Sequence, residues 1–171
     1  VTKDAHNTDA LAGMQRAGQW VLNDYLARFD EARLAGNRAT AVSAFEKAKA
    51  YQNKVERLGI GLLILSETEA AYSRVKNDHL EEVNEEAVAH LENEAFGESL
   101  RDFDEVLRLD PTYKDSKSLA DIAYCEPLYR TGLNALEQEQ WRSAYDEFNA
   151  CVARDTHFKD AKVLRDECLE K

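Results

Sequence analysis

Four histidines, three cysteines and a surplus of carboxylates are the residues of this chain that could do chemistry, and spacing decides what chemistry. Glu86 and His90 stand one helical turn apart and could share a metal. However, His6, His79, His90 and His157 lack the Glu-x-x-His or His-Glu-x-x-His partners of di-iron bundles and zinc proteases. The pair therefore reads first as a solvated helix face. Asp102-Phe103-Asp104-Glu105 sets carboxylates around one aromatic, the pattern of a charged outer face with Phe103 inside. Cys151 would be a nucleophile only with a base beside it, and its position among small residues suits helix packing instead. Gly59-Ile60-Gly61 lacks both the residues that continue a phosphate loop and the strand before it. Trp20 and Trp141, at helical spacing among apolar neighbours, read as core rather than as ligand-stacking residues. The expectation is a protein that is not an enzyme and holds no cofactor or metal.

Charge narrows the partners. Asp and Glu number 33 against 22 Lys and Arg, a net charge of −11, so a nucleic-acid backbone or an anionic membrane would be repelled. No nucleic-acid partner is expected. The longest apolar run, Ile60 to Leu65, is far too short to span a bilayer, so no direct membrane insertion is expected either. Val1 to Ala10 is polar and has no signal-peptide core. Cys125, Cys151 and Cys168 are odd in number and lack metal-type spacing, which favours a reducing, cytoplasmic setting; an exported or lipid-anchored parent protein stays open.

The elements that must position these residues are helices. With two prolines, seven glycines and 32% charged residues, little of the chain needs to be loop, and the fold class is all-α. Residues Val1 to Asn7 read as frayed and Asn7-Thr8-Asp9 as an N-cap. From there a helix runs to about Leu34, with Met14, Trp20, Val21, Leu22, Tyr25, Leu26 and Phe29 on its apolar face. Gly36-Asn37 ends it. A second helix, Ala39 to about Glu56, turns Val42, Phe45, Ala48 and Tyr51 inward. Leu58 to Val75 reads as a third, unusually apolar helix, interrupted at Lys76-Asn77-Asp78; without that interruption it would continue to Ala95. Pro127 predicts a kink or break near Cys125-Glu126.

From Pro127 to Phe158 the spacing describes two antiparallel helices: Leu128, Gly132 and Ala135 face Ala144, Phe148, Cys151 and Val152 across a turn at Glu139-Gln140-Trp141. The unit recurs. A shift of 45 residues aligns Asp110-Pro-Thr-Tyr-Lys-Asp-Ser-Lys with Asp155-Thr-His-Phe-Lys-Asp-Ala-Lys, and Leu91-Glu-Asn-Glu94 with Leu136-Glu-Gln-Glu139. A weaker copy reads Tyr25 to Asn53, with Ala41-x-x-x-Phe45 as its second-helix pair. Gly132, Ala144 and Phe148, with Ala87, Ser99 and Phe103 one register earlier, resemble the tetratricopeptide repeat (TPR). The surplus of eleven residues over the usual repeat is three helical turns, which lengthens first helices without changing their face. The resemblance implies a right-handed α-solenoid of about three hairpins, at roughly 10–55, 80–113 and 125–158. An extra helix at about 58–76 and a capping helix at about 159–171 would complete a single domain over 1–171.

Such arrays hold a peptide or partner helix in a concave groove lined by first helices, so the resemblance implies a scaffold or adaptor. Aligning the hairpins places Glu81, Asn84, Glu85, Val88 and Glu92 in that groove from the second hairpin, and Glu126, Tyr129, Arg130, Leu133 and Glu137 from the third. The family's carboxylate-clamp members use lysine, arginine and asparagine there, and only Asn84 and Arg130 match. An acidic groove with an apolar floor predicts instead a basic, amphipathic protein segment as partner. The alternative is a structural module that self-associates into a homo-oligomer through the apolar Ile60 to Leu65 helix. An enzyme or metal carrier would require the carboxylates and histidines to converge in space.

Overall fold

In the computed structural model of the chain, residues 8–171 are described in full and residues 2–7 only as helix backbone. The frayed start expected over residues 1–7 falls outside the fully described part. Among the described residues there are seven helices and no strand: α1 (Thr2–Leu34), α2 (Arg38–Glu56), α3 (Ser66–Glu92), α4 (Phe96–Leu109), α5 (Ser116–Glu137), α6 (Trp141–Arg154) and α7 (Ala161–Cys168). The chain forms two compact units, residues 1–79 and 80–171. The helix α3 contributes its part up to His79 to the first unit and its part from Leu80 to the second.

In the second unit the 45-residue repeat is a repeat of backbone geometry. Helices α4 and α6 are both 14 residues long and begin 45 residues apart, as α5 and α7 do at Ser116 and Ala161. Glu94 and Glu139 both adopt positive φ, at 59° and 56°, and so do Lys114 and Lys159, at 41° and 45°. Each glutamate closes its helix in the same way. Ala95 N–H reaches back to His90 O at 2.8 Å, and Gln140 N–H to Ala135 O at 2.9 Å, the six-to-one bond of a left-handed helix end. Gly36 ends α1 with the same bond, from Asn37 N–H to Ala32 O. The sequence uses glycine at one of these three turns and glutamate at the other two.

The faces that meet in this unit follow from residue size. A Cβ on Gly132 would stand 2.7 Å from Cε1 of Phe148, so only glycine lets that fully buried ring lie against α5. Ala87 occupies the matching place on α3, and its carbonyl accepts a hydrogen bond from Ser99 Oγ at 2.8 Å. Phe103 and Phe148 are both sealed from solvent. Of the kink or break expected near Cys125-Glu126, no break occurs: α5 continues through Pro127. Losing one backbone bond costs about 3 kcal/mol. Packing of α5 against both α4 and α6, with Ala120, Ala123, Cys125, Gly132 and Ala135 buried, outweighs that.

The first unit departs further from expectation. Trp20 and Met14 are exposed, at 75% and 58%, while Leu22 and Phe29 are sealed. Two residues around a helix are about 200° apart, so Trp20 stands opposite Leu22 and cannot share its face. Thr8 and Asp9 lie inside α1 and do not cap it. No interruption occurs at Lys76–Asp78, where α3 is continuous. Asn and Asp cost a few tenths of a kcal/mol each in a helix, less than burying Val75, His79 and Leu80 returns.

The expected extra helix at 58–76 begins only at Ser66, and Ile60 to Leu65 lies outside any helix. Gly59, with φ of 80°, ends the α2 turn, and Ile60, Leu62 and Ile64 are buried while Leu63 and Leu65 are exposed. Alternation of that kind is the mark of an extended strand. A short apolar run satisfies either period, and here the glycines and isoleucines decide it.

Candidate functional site

Three of the ten residues assigned to the groove form one connected cluster. Glu126, Tyr129 and Arg130 lie within two turns of α5. Glu126 accepts from Arg130 Nε at 2.9 Å and pairs with Lys159. Arg130 turns its other guanidinium nitrogens to both oxygens of Glu94 at 2.8 Å, a bidentate pair, and lies over the ring of Phe96. Tyr129 donates its hydroxyl to Asp160 and sets its ring edge-on to Phe148 and Phe158. Lys159 sits 4.7 Å from the centre of the Tyr129 ring. The cluster thus ties the end of α3, the middle of α5 and the loop before α7.

One register earlier the same positions are lighter. Lys114 stands 4.0 Å from Glu81, the counterpart of Lys159 with Glu126. Asn84, in place of Tyr129, is buried and accepts from Ser116 Oγ at 2.9 Å. Asn84 is thus buried, and Arg130, though exposed, is already bonded to the carboxylates of Glu94 and Glu126. Of the remaining five, Val88 is half-buried against the Ala87, Phe103 and Ala120 core, and Leu133 is exposed at 36%. Glu85, Glu92 and Glu137 are exposed and make no ion pair with a described residue.

Electrostatics separates the carboxylates committed to internal bonds from the rest. Burial alone would raise the pKa of Glu126, but hydrogen bonds from Lys159 and Arg130 outweigh it and leave the group below its ordinary range. The hydrogen bond and charge of Arg130 lower Glu94. Asp121 follows the same balance: burial raises it, and Lys117 and Arg154 bring it below the usual value. The hydrogen bond to Asp160 pushes the Tyr129 phenol up to about 12.

The catalytic candidates resolve into packing. Asp102, expected on the outer face, is mostly buried and bonds His90 Nδ1 at 2.8 Å; Glu86 is not His90's partner. No repeat signal could reveal that pair, because the matching positions are Ala135 and Glu147. Cys125 and Cys151 face each other across α5 and α6. The Cys151 thiol donates to Cys125 O at 3.3 Å, and Cys125 returns a longer contact to Cys151 O. Burial pushes the Cys125 thiol up to about 12, so it is a neutral packing group at physiological pH.

Among the described residues no three His, Cys, Asp or Glu side chains gather as metal ligands, and no helix is long and apolar enough to cross a membrane. His6 lies outside them. Net charge divides unevenly: residues 1–79 hold 11 Lys and Arg against 10 Asp and Glu, whereas residues 80–171 hold 11 against 23. Compared with family models, curated proteins and solved structures, the chain finds no match in any of the three.

Proposed function

We propose that this chain is a protein-interaction module, a scaffold or adaptor built as a tetratricopeptide-like right-handed solenoid, and that it binds a basic, amphipathic segment on the first helices of the second unit. The observation that carries the reading is the charge partition: residues 80–171 hold 12 more carboxylates than cations, on a unit that repeats one helical hairpin, whereas residues 1–79 hold one fewer. Of the groove positions, Glu85, Glu92 and Glu137 are exposed carboxylates without an ion pair to a described residue, near Val88 and Leu133 in sequence. A helix with cations on one side and apolar residues on the other complements that pattern. Glu126, Tyr129 and Arg130 hold the surface in shape rather than meet the partner.

The test uses a synthetic amphipathic helix of lysine and leucine as probe. Binding should weaken as salt rises past about 0.15 M, where charges are screened beyond about 8 Å, and should weaken again with Glu92→Lys plus Glu137→Lys. Affinity indifferent to both changes would remove this surface as the binding face. Self-association is the second reading, favoured by Leu63 and Leu65, which stand exposed at 66% and 59%.

A further inference from the structure

In the first unit, side-chain amides of α1 and α2 hold the main chain of residues 61–63. Gln19 accepts from Leu63 N–H and donates to Leu63 O, both at 2.9 Å, so one side-chain amide closes on one residue as a neighbouring strand would. Gln15 Nε2 donates to Gly61 O at 3.0 Å. From the opposite helix, the buried Gln52 donates to Leu62 O at 2.9 Å. Between these clamps Ile60, Leu62 and Ile64 sink into the α1–α2 groove, joining the core of Leu22, Ala48 and Val55. Gly18 opens the groove for Leu62, whose nearest methyl would lie 3.1 Å from a Cβ there. Recognition therefore requires an extended segment with apolar residues at alternate positions, and its hydrogen bonds ask nothing of side-chain identity.

The occupant is the chain's own residues 60–65, attached through Arg57-Leu58-Gly59. Gly59 holds a left-handed φ of 80° to send the chain back along the groove, and glycine leaves that conformation at little cost. We infer that the groove accepts the same segment from a second copy of the chain, so that two copies exchange residues 60–65, with the chain beyond residue 65, across this hinge. Each clamp and each buried side chain is satisfied identically in the closed monomer and in the exchanged pair. The balance between them is therefore set by concentration and by the hinge rather than by any new contact. The exchange is independent of the acidic surface proposed for the second unit.

Deleting Leu58 and Gly59 shortens the hinge by up to about 7 Å of chain and prevents the segment from reaching its own groove. The deletion chain should sediment at twice the 19.4 kDa of the monomer while keeping its helical circular dichroism. Adding Gln19→Ala and Gln52→Ala should return it to monomer. A helical monomer, or a dimer indifferent to the glutamine changes, would overturn the inference. Wild-type chains carrying two different tags provide the arm that does not depend on the deletion folding. Unfolded together in urea and refolded at high concentration, they should give mixed dimers by native mass spectrometry, in a proportion that rises with concentration and that Gln19→Ala plus Gln52→Ala leaves unchanged, because those bonds are made alike in the monomer and in the exchanged pair. Refolding to monomer alone, or mixed dimers that the glutamine changes abolish while the monomer stays folded, would equally overturn it.

Discussion

Replacing Gly132 by alanine tests the hairpin's packing through the sign of a single methyl group. In the native chain the new Cβ would lie 2.7, 2.8 and 3.1 Å from three carbons of the Phe148 ring, against a comfortable carbon separation of about 3.5–4.0 Å. The ring is fully buried, between Gly132 on one side and the Tyr129 ring on another, and has no solvent to retreat into. Overpacking of this kind costs about 1–3 kcal/mol. Alanine returns up to about 1 kcal/mol of helix propensity over glycine, so the net loss should be about 1 kcal/mol. Phe148→Ala alone should cost about 3–5 kcal/mol by leaving a cavity. With the ring gone the clash is gone, and Gly132→Ala added to Phe148→Ala should stabilise by up to about 1 kcal/mol.

Trp141 reports this measurement from within the second unit, and Trp20→Phe removes the other tryptophan from an exposed position in the first. Urea unfolding followed by Trp141 fluorescence then gives the four stabilities of the cycle. If Gly132→Ala stabilised the wild-type background as much as the Phe148→Ala background, the close approach of Phe148 to α5 would not exist.

Other positions give three further outcomes. Glu139 occupies a left-handed turn that glycine fills in α1, so Glu139→Gly should stabilise the second unit by about 0.5–1 kcal/mol while Glu139→Ala leaves it nearly unchanged in the same urea titration. The Cys125 thiol has a folded pKa of about 12 against an ordinary 9.0, so the unfolded chain releases that proton first. This linkage makes no difference below pH 9 and drains stability between pH 9 and 12; Cys125→Ala should flatten the fall of the melting temperature across that window. In the extended segment Leu62→Ala should cost the first unit about 2–5 kcal/mol, because that side chain is 6% exposed, whereas Leu63→Glu next to it should melt like wild type. Equal losses at the two positions would contradict the alternation.

How much the sequence discloses depends on whether a signal is periodic or solitary. The 45-residue register locates α4, α6 and the starts of α5 and α7 because each hairpin repeats the same size relations, Ala87 with Phe103 and Gly132 with Phe148. Turn chemistry is less visible, since Glu94 and Glu139 adopt a conformation that composition assigns to glycine. The segment 60–65 reads as helix in the sequence because its clamps come from glutamines 40 residues or more before it and from Gln52, which no local period records. Among the proposed groove residues, the sequence marks position but not commitment. Spacing puts Glu126 and Glu137 on one row of α5, yet only the fold supplies Lys159 to one and leaves the other unpaired.

That difference bears on how the two units divide their work. The first unit is nearly neutral and fills its groove with its own residues 60–65, so the exchange proposed for it would be insensitive to salt. The second ties Lys117, Arg130, Arg154 and Lys159 to Glu94, Asp121 and Glu126 and leaves other carboxylates exposed, so the partner proposed for it would be attracted by charge. Raising salt should therefore weaken partner binding at the acidic surface while leaving segment exchange in the first unit intact. The two proposals can thus be tested separately in one chain without any mutation.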